Sequence, residues 1–309
     1  MFKRRPAAYV IPPQGFPDRE KFFAAWSPWG TIRDRLRAHG VRLLCRKLRH
    51  IPRRAPLILF NNVIPTPRTL DFLRQRSPST LHLIQGWEPP TVLPFQHTPA
   101  CYDLFSRVYT FHDDLKGSKF RKFYWPHPLK SRSPNHQRLL TMVFGNKASS
   151  HPNQLYTERR RLIEFLEQIP DADFTFYGPG WEFLGYRNYG GPVDDKLATI
   201  SNFRFTIAYE NCQGIPGYIT EKLLDCLCAG TVPIYWGAPN VTDYIPSDCF
   251  IDRTLFPTDQ ALYDHLLTLD PTPYLAAAQH FLASERAGRF SEERFINQMT
   301  TDIQEALKP

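Results

Sequence analysis

Short apolar runs alternate with stretches of helical spacing along most of the chain. Leu57–Phe60, Leu81–Ile84, Arg107–Phe111, Leu140–Phe144, Phe174–Tyr177, Phe205–Tyr209 and Val232–Tyr235 read as strands, because they are brief, nearly continuous in apolar character and bounded by polar or turn residues. Thr157–Ile169, Lys196–Asn202 and Ile219–Ala229 repeat their apolar positions at three and four, as amphipathic helices do. Strand, helix, strand in succession predicts doubly wound α/β architecture with parallel sheets.

The segment Trp125–Asn135 holds three prolines, three basic residues and two serines without apolar periodicity, and reads as the linker between two sheet domains. Beyond Phe256 the spacing is helical over Asp259–Leu269, Pro273–Ser284 and Ser291–Leu307, the last opening on a serine followed by two glutamates. The expected organisation is an α/β domain over 1–132, a second α/β domain over 133–270 and C-terminal helices over 271–309 that pack back on the sheets.

With 309 residues, 42% of them hydrophobic, the chain can bury a sizeable core, which excludes a small disulfide scaffold. Its net charge of +8 invites a nucleic-acid reading until its location is considered. Fourteen Lys and Arg stand against three acids between Met1 and Arg54, a net of +11, so the rest of the chain is slightly acidic at −3. Within that region Arg33-x-Arg35-x-Arg37 and the Arg46–Arg54 cluster interleave with Leu and Val, as in one amphipathic helix plus a strand, and no nucleic acid is expected as a partner. Contact with acidic lipids is a further expectation for this region.

The six cysteines are spread over two hundred residues in mostly apolar segments, which fits free thiols in a reducing compartment. Cys226-x-Cys228 lacks the spacing and partners of a zinc site, and no metal is expected. No run of eighteen apolar residues occurs, and no continuous apolar segment follows the basic start before Pro6, Pro12, Pro13 and Pro17. The expected location is therefore cytoplasmic, with peripheral contact at the inner membrane face.

The chemistry concentrates in Phe203–Ile251. A strand ends in Glu210-Asn211, a loop carrying Gly214, Pro216 and Gly217 follows, and a helix is predicted to start near Tyr218 with Thr220-Glu221-Lys222 in its first turn. In an open α/β sheet this crevice takes ligands, and a helix N-terminus with a nearby lysine suits phosphate. Glu221 reads either as an ordinary first-turn carboxylate or as an acceptor for ribose hydroxyls. Tyr235, Trp236 and Pro239 read more readily as core than as a sugar platform.

Phe205, Tyr209-Glu210-Asn211, Tyr218-Ile-Thr-Glu-Lys222, Ala229-Gly-Thr-Val-Pro233, Tyr235-Trp-Gly-Ala-Pro239 and Ile245-Pro246 follow one another in the order of a known signature. The segment resembles the donor-binding region of the α-1,3/α-1,4-fucosyltransferases, glycosyltransferase family 10, over Leu139–Asp252. That resemblance implies a GT-B-like fold of two facing Rossmann-like domains. It implies a donor site of Glu210, Asn211, Tyr218, Glu221 and Lys222, with an arginine at the head of the Thr157 helix on the diphosphate. Arg159 suits that slot by its spacing to Leu162 and Leu166, although Arg160 and Arg161 adjoin it.

In the first half Ile84-Gln-Gly-Trp-Glu88-Pro-Pro corresponds to the family's acceptor-side strand and loop, which makes Glu88 the general base by analogy. An apolar, aromatic setting raises a carboxylate toward the range useful to a base. Asp113, Asp114 and Glu210 remain alternatives. Asp171-x-Asp173 precedes a strand, at the edge opposite the crevice, so a metal-binding reading of it is not favoured.

The implied reaction is inverting transfer of L-fucose from GDP-β-L-fucose to a hydroxyl of an acceptor sugar, N-acetylglucosamine or glucose in a glycan, by an α-1,3 linkage. No metal or other cofactor is expected. Another nucleotide deoxysugar or linkage is the nearest alternative, and a basic surface-binding protein is the alternative outside enzymes.

Overall fold

The computed structural model describes residues 6–12, 22–24 and 27–308. The basic start at 1–5, together with Pro13 and Pro17, lies outside the described residues. Two compact units are present, one formed by Met1–Pro126 with Phe290–Pro309 and the other by His127–Arg289.

The first unit runs β1 (Ala7–Ile11), α1 (Ser27–Ala38), β2 (Arg42–Cys45), β3 (Leu57–Asn61), α2 (Pro67–Arg74), β4 (Leu81–Ile84), α3 (Pro99–Tyr102), β5 (Arg107–Thr110) and β6 (Phe120–Lys122). All six strands are parallel, in the order β2-β1-β3-β4-β5-β6. Successive side chains of β3 feed opposite faces, Leu57 and Leu59 joining Trp29, Ile32 and Leu36, while Ile58 and Phe60 join Leu73 and Phe105. Burial on both faces explains the unbroken apolar run, each such side chain contributing about 1.5–3 kcal/mol. The topology reverses direction between β1 and β3, and the ends of those strands flank a crevice suited to ligands.

The second unit runs β7 (Arg138–Val143), α4 (Tyr156–Gln168), β8 (Phe174–Tyr177), α5 (Lys196–Ile200), β9 (Phe203–Tyr209), α6 (Glu221–Ala229), β10 (Val232–Trp236), β11 (Ile251–Asp252), α7 (Asp259–Thr268), α8 (Thr272–Leu282) and α9 (Glu285–Gly288). Its five parallel strands are ordered β11-β10-β9-β7-β8, so the reversal lies between β7 and β9. Helix α6 is buried along nearly all its length and stops at Gly230, whose φ of +70° an L side chain rarely adopts.

The division between units falls at Pro126 and His127. The expected linker is largely docked on the second unit: the His127 ring bonds Asp225 at 3.0 Å, and Arg132 donates its N–H to the Cys228 carbonyl at 2.7 Å. The C-terminal helices do not group together. Helices α8 and α9 belong to the second unit, whereas α10 (Glu292–Ala306) completes the first. Its Phe295, Ile296, Met299 and Ile303 enter the core beside Trp29, and Glu293 and Asp302 pair with Arg35 and Arg107 at 2.9 and 3.1 Å. Ser291 caps α10 by accepting from the Arg294 N–H, as its sequence predicts.

Among the described residues no helix is long and apolar enough to cross a membrane. All six cysteines are buried and free.

Candidate active site

At the switch point of the second sheet, β9 ends and α6 begins through a shared cap. The Glu210 carboxylate accepts from the Thr220 N–H at 2.8 Å and from its hydroxyl at 2.7 Å. That hydroxyl oxygen in turn accepts from the Lys222 N–H at 3.4 Å and from Lys222 Nζ at 3.0 Å. The helix therefore starts at Glu221, with Thr220 as N-cap, rather than near Tyr218. Lys222 Nζ also lies 3.1 Å from Glu221 Oε1 and 3.5 Å from Glu210 Oε2.

One ammonium thus serves two carboxylates of different character. Burial pushes the Glu210 carboxyl above its ordinary value against the pull of Lys222. Burial works the same way on Glu221, yet Lys222 and Lys196 together hold it below its ordinary value. Glu210 is wholly inaccessible and acts as a clamp beneath the crevice. Glu221 is the more ionised of the two.

Arg159, in the first turns of α4, crosses the switch point from the other side. Its guanidinium donates to the Tyr209 carbonyl at 2.6 Å and to Asn211 Oδ1 at 3.0 Å, and lies 3.9 Å from the Phe144 ring centre. Among the described residues it joins no ion pair, and its buried Nε has no hydrogen-bond partner. Burial lowers its pKa to about 10, so it stays cationic at neutral pH, adding positive field to the crevice from within the wall. Its neighbours are differently engaged: Arg160 bonds Asn146 at 2.7 Å, and Arg161 pairs with Glu158 and Asp259.

The loop from Asn211 to Tyr218 is held on both sides. The Asn211 carbonyl accepts from Leu155, Gln213 donates to Asn153, and Gly217 donates to Asn240 Oδ1 at 2.8 Å. Tyr218 is buried, its carbonyl accepting from the Tyr235 hydroxyl at 3.3 Å, which makes Tyr235 a latch and gives both tyrosines packing positions. Gly237 is required by closeness: a Cβ there would lie 2.5 Å from Glu210 Cγ.

Behind α6, Asp225 accepts from Lys196 at 2.7 Å and from His127, while Cys228 lies 3.8 Å from the same imidazole. This Cys-His-Asp arrangement is structural, because His127 Nδ1 accepts from the Leu129 N–H and burial pushes the Cys228 thiol up to about 12. Asp173 accepts from Arg138 and from the Leu139 N–H, at the N-terminal edge of the strands, away from the crevice. Among the described residues no group of three or more His, Cys, Asp or Glu is placed to hold a metal ion.

Glu88 belongs to the other unit, just after β4. Its carbonyl accepts from Gln96 Nε2 at 3.0 Å and His97 Nε2 at 2.8 Å, which fixes the His97 tautomer and leaves Nδ1 to accept from His112 at 3.0 Å. Burial drives His112 down to about 4, so it is neutral in that role. Trp87 packs edge-on against Phe123, Trp125 and Phe295 and donates to Asn61 Oδ1. Gly86 admits no side chain, since a Cβ would lie 2.0 Å from the Phe123 ring. Glu88 lines a cavity of about 310 Å³ with Asn61, Asn62 and a largely aliphatic wall. Of the other candidate bases, Asp113 is paired with Lys122 at 2.7 Å and Asp114 is exposed.

Gln96 and Asn62 escaped the sequence reading. Gln96 bridges Val63, Asn62 and Glu88 through its side chain, and Asn62 adopts a φ of +69° at the end of β3. The Asn61-Asn62 pair closing an apolar strand was the available signal, because asparagine tolerates left-handed backbone.

Residues 134–281 match the model described as glycosyltransferase family 10 (fucosyltransferase) C-terminal. Over 104 residues the chain is 42% identical to an alpha-(1,3)-fucosyltransferase of Helicobacter pylori, covering 33% of this chain and 20% of that protein. Over 171 residues it is 28% identical to GDP-fucose protein O-fucosyltransferase 3 of Homo sapiens, covering 51% of this chain and 33% of that protein. The chain thus spans a fifth to a third of the length of these relatives. A solved alpha-1,3-fucosyltransferase with GDP aligns at a TM-score of 0.59 and 16% identity, over 98% of this chain and 92% of that one. The architecture is of the GT-B class, and in motif order and matched residues the segment 134–281 is similar to the C-terminal domain of glycosyltransferase family 10, the fucosyltransferases.

Proposed function

We propose that the chain transfers L-fucose from GDP-β-L-fucose to a hydroxyl of an acceptor sugar, with inversion at the anomeric carbon. The observation that carries this reading is the convergence of Lys222, Glu221, Arg159 and Asn211 on one switch point in a domain similar to that of this family. As the donor's anomeric bond breaks, negative charge grows on the departing diphosphate. The α6 N-terminus, the Lys222 ammonium and the buried field of Arg159 answer that charge without a metal ion. Glu221, held ionised, accepts from ribose hydroxyls.

Glu88 removes the proton of the attacking hydroxyl, its backbone steadied by Gln96 and His97. The acceptor is N-acetylglucosamine or glucose in a glycan, joined by an α-1,3 linkage. The basic N-terminal region adds peripheral contact with anionic membrane, read out as vesicle association that weakens with salt.

The deciding experiment measures GDP release from GDP-fucose with an array of acceptor glycans, with and without a chelator. Acceptor-dependent release that survives chelation is expected. Release from another nucleotide sugar in preference to GDP-fucose would overturn the donor assignment.

A further inference from the structure

The cavity beside Glu88 lies where the first sheet changes direction: Ile11 and Pro12 close β1, Asn61 and Asn62 close β3, and all four line it. At about 310 Å³ it is at the small end of ligand pockets, ~300–1,000 Å³. Its polar lining residues are Asn61, Asn62, Thr69 and Glu88, and Asn62 Oδ1 accepts from Gln96. Asn61 is spent on its own neighbours, donating to the Ile11 carbonyl and accepting from Trp87, and Thr69 is hydrogen-bonded to Thr66. Leu48, Ile64, Val92 and Leu93 leave an aliphatic surface that a bare sugar, ringed with hydroxyls, would satisfy poorly.

The chain on either side of two lining residues has the opposite character. Exposed Lys47 and Arg49 flank the lining residue Leu48, and exposed Arg68 precedes the lining residue Thr69. No Asp or Glu occurs between Arg35 and Leu70, and among the described residues none of these three cations joins an ion pair. A further cation is drawn to the same loop: Arg76 donates to the Pro52 and Arg53 carbonyls, at 2.8 and 2.9 Å, and burial, with the Arg53 charge second, lowers its pKa. A loop that gathers like charges beside an apolar cavity is complementary to an anion joined to an apolar group.

We propose that the acceptor is an anionic amphiphile: a sugar presented to Glu88 whose apolar aglycone enters this cavity and whose adjoining phosphate meets Lys47 and Arg49. This rests on the transferase reading above and names its acceptor class.

Four acceptors carrying the same sugar test it: the methyl and octyl glycosides, and the methyl and octyl phosphodiesters. Transfer efficiency, kcat/KM, is expected to rise about tenfold or more from methyl to octyl. It is expected to rise several-fold again with phosphate, a gain that salt erodes. Val92→Trp, a bulky change at a position 38% exposed on the cavity wall, removes the octyl gain, whereas Lys47→Ala with Arg49→Ala removes the phosphate gain. Equal efficiency for methyl and octyl acceptors overturns the proposal, as does a phosphate gain untouched by the double substitution. Titration calorimetry of GDP-fucose separates this from the parent reading. A chain that binds the donor and fucosylates all four equally loses only the amphiphile, whereas one that does not bind GDP-fucose loses the transferase reading itself.

Discussion

Glu210 and Thr220 share two hydrogen bonds, of 2.8 Å from the N–H and 2.7 Å from the hydroxyl, so the end of one strand is joined to the start of the helix whose dipole faces the crevice. With its carboxyl raised by burial, Glu210 binds its proton more tightly folded than unfolded, and stability falls as pH rises above the ordinary value of 4.5. Glu210→Gln is expected to flatten that limb, seen as a smaller fall in melting temperature between pH 5 and pH 8. An unchanged slope would mean that Glu210 is not the titrating group.

Lys222→Ala removes the ammonium shared by both carboxylates. Turnover is expected to drop by about 10²–10³, the effect of deleting one preorganised donor to a developing negative charge. The fold should persist, because Glu210 can take up a proton once its partner is gone. Steady-state GDP release with circular dichroism melting checks both halves.

Glu88→Gln separates chemistry from donor binding. Transfer is expected to fall by about 10²–10⁴ while the GDP-fucose dissociation constant is unchanged, because Glu88 and the residues proposed to bind the donor lie in different units. A variant that still transfers at the native rate would return the base to Asp114.

Gly237→Ala is predicted to act on the crevice through packing. The added methyl group meets Glu210 Cγ and the Tyr235 hydroxyl at 2.5 Å, so the clamp must shift, at about 1–3 kcal/mol. Chemical denaturation should show that loss, with a raised KM for GDP-fucose.

Asp225→Ala leaves Lys196 and His127 without their shared acceptor. Burial opposes the Asp225 charge, but His127 and Lys196 hold its pKa below the ordinary 3.8, so its contribution is present above that value and lost as pH falls below it. The substitution is expected to cost about 3–5 kcal/mol at neutral pH, measured by urea unfolding.

The candidate donor site was legible because its residues are local to one another. Glu210, Thr220, Glu221 and Lys222 sit within one strand-loop-helix unit, and the strands on either side are apolar on both faces. Helix α1 and strand β2 were foreshadowed by Leu and Val interleaved with arginine. Strand β1 was not, since Ala7–Ile11 is a short run at the edge of a proline-rich segment and becomes central only by pairing with β2 and β3. The linker was legible, since the units divide at Pro126 and His127 within Trp125–Asn135, but its docking on the second unit was not. His127 is fixed by Asp225, 98 residues away, and no local pattern announces such a partner.

Because the first unit is built from both ends of the chain, its order of assembly differs from its order of synthesis. The second unit is continuous and can close as soon as Arg289 has emerged. The first must wait with Trp29, Ile32 and Leu36 uncovered until Phe295, Ile296 and Met299 arrive, so a nascent chain stalled before α10 exposes an apolar face to chaperones and proteases. Deleting the last helix would thus injure the unit carrying Glu88 while sparing the family-matched domain, and a truncated protein that still bound GDP-fucose would say nothing about whether it could use an acceptor.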